Sequence, residues 1–88
     1  MGGLKIIVMQ KITLYEFNLL PPQEQHEIVH SKATFLEVLD WGSKKYVLYG
    51  LEQFYIELEY DVPSNKIISL RTFKRGKLLD KFLDKFQL

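Results

Sequence analysis

Cysteine is absent from the 88-residue sequence, which excludes a disulfide framework, a thiolate zinc site and a cysteine nucleophile together. Such a chain holds its fold by packing alone, and the cytoplasm is the expected compartment. An excess of charge of one sign is also missing. Twelve Lys and Arg stand against eleven Asp and Glu, for a net charge of +1. That balance gives no whole-molecule field to gather nucleic acid or an anionic membrane, so any polyanion contact would be local. Long apolar runs are lacking too. Leu4 to Met9 falls far short of the ~18 residues that span a bilayer and has no small-residue cleavage pattern, so it reads as neither anchor nor signal. Serine and threonine are few, and no G-x-S-x-G, glycine-rich phosphate loop or nucleophile–base arrangement occurs.

What the sequence does contain is one domain's worth of alternating apolar and aromatic residues. A chain of this size buries only about two-thirds of the surface of its unfolded form, so the core must be thin. Met1-Gly2-Gly3 resembles a flexible leader. Residues 1–10 are expected to be a leader or an edge strand, and 11–88 a single α+β domain. Its centre is Tyr46 to Tyr60, two aromatic-rich strands around a tight turn at Gly50 to Gln53. In the second arm Phe54, Ile56, Leu58 and Tyr60 alternate with Tyr55, Glu57 and Glu59, a period of two that predicts a half-buried antiparallel strand.

Around this hairpin the remaining elements follow in order. Thr13 is suited to cap a short helix from Leu14 to Leu20, with Glu16 at the capping-box position. Pro21-Pro22 ends it and opens a second helix, expected over Gln23 to Ala33. Phe35 to Trp41 reads as a strand, Gly42-Ser43-Lys44 as a turn, and Lys45 to Leu51 as the next strand. Asp61 to Asn65 is a turn in which Pro63 cannot continue a ladder. Lys66 to Phe73 is the last strand, with Ile68 and Leu70 expected toward the core and Ser69 and Arg71 outward. Apolar residues at 78, 79, 82, 83 and 86 then follow a helical repeat and predict a closing amphipathic helix. Short connections between strands predict an antiparallel meander in the order 1-2-3-4, with helices over one face.

Three groups of residues are candidates for function. His26-Glu27-Ile28-Val29-His30 matches H-E-x-x-H, in which two histidines one helical turn apart bind zinc and the glutamate serves as general base. A zinc peptidase would need a third ligand, for which Glu52, Glu57 and Glu59 are the downstream candidates. The element order argues against it, because strands follow the motif helix where a ligand-bearing helix is required. Arg71, Lys74, Arg75 and Lys77 form a basic cluster around Phe73, the makings of a nucleic-acid contact. Arg71 has an alternative role as cross-strand partner of Glu57 or Glu59. Finally, Tyr49, Tyr55, Tyr46 and Trp41 exceed the aromatic residues a small sheet needs. With Glu57, Glu59 and Arg71 they make a candidate partner face.

Ile12 to Asn18, Glu24-Gln25, Leu48-Tyr49, Phe54 to Leu58 and Leu79 to Leu83 together resemble a group of small uncharacterised bacterial proteins with a helix-helix-strands-helix plan. The resemblance covers nearly the whole chain after Lys11. It implies the α+β fold, transfers no activity, and speaks against His26 and His30 as ligands. The expected function is therefore a non-catalytic protein-interaction module, a homodimer, inhibitor or accessory factor, that binds through its sheet with no cofactor.

Overall fold

The computed structural model describes residues 11–74. The expected leader or edge strand at 1–10 and the expected closing helix at 78–86 lie outside the described residues. Two helices and four strands follow one another: α1 (Leu14–Asn18), α2 (Pro22–Lys32), β1 (Thr34–Trp41), β2 (Lys44–Leu51), β3 (Phe54–Asp61) and β4 (Lys66–Phe73). The strands form one antiparallel sheet in the order β1-β2-β3-β4. Among the described residues no helix is long and apolar enough to cross a membrane.

Local chemistry sets the boundaries. The Thr13 hydroxyl accepts from the Glu16 N–H at 3.1 Å while the Glu16 carboxylate accepts from the Thr13 N–H at 3.0 Å, closing the capping box that starts α1. Pro22 occupies the first turn of α2, where a missing N–H costs nothing. Each strand connection contains one left-handed residue: Gly42 at φ 60°, Glu52 at φ 53° and Asn65 at φ 57°. Glycine and asparagine adopt that region readily. Glu52 is the strained member of the three, holding the two-residue turn that joins β2 to β3.

Strand alternation then divides the sheet into two faces. The helix side carries Tyr49 and Leu51 of β2, Phe54, Ile56, Leu58 and Tyr60 of β3, and Ile67 and Leu70 of β4, and these join Phe17 of α1 and Val29 of α2 in the main core. Phe17 has no exposed surface and meets the Phe54 ring at 5.6 Å, tilted by 53°. Two hydrogen bonds fix the helices to each other and to the sheet: Gln25 Nε2 donates to the Phe17 carbonyl at 3.0 Å, and Thr72 Oγ1 donates to Asn18 Oδ1 at 2.7 Å.

The expected placement of Ile68 is corrected by a register shift. Glu59 pairs with Ser69 but Tyr60 pairs with Ile67, so Ile68 is the extra residue of a β-bulge and stands 49% exposed. Ile67 takes its place in the core. One residue of slip inverts every side chain beyond it, which period-two counting cannot anticipate.

Two predictions follow from this packing. Phe17→Ala should cost ~3–5 kcal/mol, on the order of the whole stability of a small domain, and abolish a cooperative urea transition. Asp61 accepts from Ser64 Oγ at 2.7 Å and the Ser64 N–H at 3.2 Å and lies 3.6 Å from Lys44 Nζ. The Ser64 bonds, followed by Lys44, hold its carboxyl below the ordinary aspartate value. Its stabilising contribution is therefore present above the unfolded pKa and lost as pH falls through the lower folded one. The melting temperature of Asp61→Ala should lie below wild type at neutral pH, with the gap closing as pH falls below the ordinary aspartate value.

Candidate functional site

The second face of the sheet gathers several of the expected site residues. Glu57 lies between Leu48 and Arg71 in register, and Glu59 between Tyr46 and Ser69. This face is not an outward tyrosine–carboxylate surface, and that expectation is corrected. Leu48 and Phe73 are buried on it, with Leu39, Tyr46 and Tyr55 packed against them, and Glu57 has no exposed surface. Tyr55 stacks on Phe73 with ring centroids 5.8 Å apart. Glu59 is half-buried and accepts from Ser69 Oγ at 3.0 Å. Of the set Tyr55, Glu57, Glu59 and Arg71, Arg71 alone is exposed. The reason lies in β2, where Tyr46-Val47-Leu48-Tyr49 places apolar surface on both faces, the signature of a strand covered on both sides.

Apolar exposure concentrates instead on β1. Phe35, Leu36 and Trp41 are 56%, 43% and 61% exposed, three large apolar side chains on one edge strand. A second bulge accounts for part of this: Phe35 pairs with Tyr49 and Glu37 with Leu48, leaving Leu36 as the extra residue. Its side chain passes over Gly50, where an added Cβ would come within 3.2 Å of Leu36 Cδ1. Aromatic rings on β2 support the two others. Phe35 meets Tyr49 edge-on at 6.2 Å, and Trp41 meets Tyr46 edge-on at 5.9 Å. Phe35 and Leu36 were not among the expected site residues. The signal was present in Thr34-Phe-Leu-Glu-Val-Leu-Asp-Trp41, where apolar residues at both parities exceed what the one paired side of an edge strand can bury.

The histidine motif is placed on α2 as expected, with His26 half-buried and Glu27 and His30 exposed. His26, Glu27 and His30 line an open depression with Gln23. His30 Nδ1 lies 2.9 Å from the His26 carbonyl oxygen, so one ring nitrogen is engaged within the helix itself. The proposed third ligands are elsewhere. Glu57 and Glu59 stand on the sheet face opposite the one under α2, and Glu52 occupies the β2–β3 turn. Among the described residues no group of three or more potential ligands could hold a metal ion. The zinc peptidase reading therefore lacks its third ligand here. Of the basic cluster, Arg71 and Lys74 are exposed, while Arg75 and Lys77 lie outside the described residues.

Tyr49 belongs to the helix-side core. Burial, and secondarily the nearby Tyr60, raise its phenol above the ordinary value. A raised folded pKa gives stability that is complete below the unfolded value near 10 and lost as pH rises through the folded one. Tyr49→Phe should therefore flatten the alkaline side of a pH–stability profile above about pH 10, measured by urea unfolding. Comparison with family models, curated proteins and solved structures finds no match to this chain.

Proposed function

We propose that this protein is a non-catalytic, cytoplasmic protein-interaction module whose contact surface is the β1 side of its sheet. The observation that carries this reading is the exposure of Phe35, Leu36 and Trp41 on one edge strand, two of them held by rings of β2. Aromatic side chains fixed in this way lose little rotamer freedom on binding, which is why such residues dominate contact energies. Tyr49 and Tyr46 serve in this reading as the supports of the contact residues, and Arg71, on the opposite edge, stands apart from it.

The strand also bears on the choice of partner. Its charged residues are Glu37 and Asp40, with no Lys or Arg. Two copies of β1 laid side by side would bring like charges together, which disfavours self-pairing of this strand. A different chain presenting apolar side chains with flanking Lys or Arg fits better, the role of an inhibitor or accessory factor.

Site-specific photo-crosslinking in the native host tests the reading. A crosslinking side chain at position 35 or 41 should give one discrete adduct, and the same group at Lys66 on the opposite edge should give none. An adduct mass equal to two copies of the chain would replace the accessory role with a homodimer. Absence of a discrete adduct from both β1 positions would sink the proposal.

A further inference from the structure

At one end of the helix-side face lies an open recess of about 300 Å³ lined by Lys45, Val47, Tyr60, Val62 and Asn65, of which Lys45, Val62 and Asn65 are exposed. Its floor is Val47, which is 8% exposed yet belongs to neither apolar cluster of the sheet. Its register partners are Val38 of β1 and Leu58 of β3. The walls are set by backbone pairing: Lys45 and Tyr60 are register partners of β2 and β3. The Val62 N–H donates to the Ser43 carbonyl at 2.8 Å, locking the β3–β4 turn against the β1–β2 turn. Asn65, at φ 57°, closes the far side. The backbone that carries the lining is thus fixed by pairing.

Three polar groups border this apolar floor: the Lys45 ammonium, the Tyr60 hydroxyl and the Asn65 amide. None of the three side chains makes a hydrogen bond or ion pair with another described residue. The ion pair found among the described residues is Lys44–Asp61, on the other face. Asp40 stands opposite Lys45 in register, and no ion pair joins them. The site therefore combines one cation without an ion pair, two further hydrogen-bonding groups and an apolar surface. That is the composition of a small-ligand pocket, in which a few polar groups orient a mostly apolar guest.

We propose that this recess binds a small monocarboxylate with an aromatic or branched aliphatic body. The carboxylate accepts from the Lys45 ammonium and from the Asn65 amide or Tyr60 hydroxyl, and the apolar body lies on Val47 and Val62. A single ammonium suits a monoanion better than a phosphate, which calls for several donors. The volume corresponds to about ten waters at ~30 Å³ each, enough for a one-ring acid. The assignment stands independently of the β1 contact surface.

The test is an amide chemical-shift titration of the full chain with 3-phenylpropionate, using 3-phenylpropionamide as the uncharged control. Saturable shifts should appear at residues 45, 47, 60, 62 and 65, with a dissociation constant on the order of 1 mM for so small a probe. The amide should bind about fivefold or more weakly, as should the acid to Lys45→Gln, an exposed substitution that leaves the core intact. Three results would each overturn the proposal: no saturable shift up to about 10 mM, shifts centred elsewhere, or equal affinity for acid and amide or for wild type and Lys45→Gln.

Discussion

Ile56, Glu57 and Leu58 are consecutive in β3, and none of them has exposed surface. Side chains of a strand alternate between faces, so three such residues in a row require that both faces be covered at that point. This constraint organises the protein. On the helix side it is met by Phe17 and Val29, which close over Phe54, Ile56 and Leu58. On the other side it draws Leu48 and Phe73 inward and encloses a carboxylate, which nature retains only where specific interactions hold it. Glu57 is engaged in this way. It sits in a layer that sequence alternation alone assigns to solvent.

The contrast marks what the sequence could disclose. The capping box at Thr13 and Glu16, the proline pair and the three strand turns are local, and they are legible because a few adjacent residues determine them. The 1-2-3-4 order follows from short connections by the same logic. The faces were harder. Two bulges, at Leu36 and Ile68, each add one residue to a strand and exchange inside for outside beyond that point. Ile68 thereby leaves the core and Leu36 comes to lie over Gly50, neither of which a count by twos reveals. Burial of Glu57 was hidden for a different reason: alternation places it on the face away from the helices, and only the folded sheet shows that this face is covered.

The histidine motif shows how a correct local reading supplies only part of a metal site. His26 and His30 do share one side of α2, since four residues make about one helical turn. Catalytic zinc needs a further protein ligand from another element. A sheet lies between α2 and the carboxylates of Glu57 and Glu59, so the topology that gives the helix its place also removes those ligands. Spacing within an element is cheap to satisfy. Convergence between elements is the demanding condition, and it carries the evidence.

The same test applied to the two sheet edges separates them. On β4 the outward positions include Lys66 and Arg71, and its bulge interrupts the ladder at Ile68, both familiar devices against edge-to-edge association. On β1 the bulge is present without the basic residues, and large apolar side chains stand where charge would protect the edge. Among the described residues β1 exposes Phe35, Leu36 and Trp41, while β4 exposes Ile68 at its bulge. Phe35 and Trp41 make ring contacts to Tyr49 and Tyr46 and belong to neither buried cluster. Their burial on binding would add apolar area at ~25 cal/mol per Å² before ordering costs, whereas their exposure in the isolated chain yields nothing.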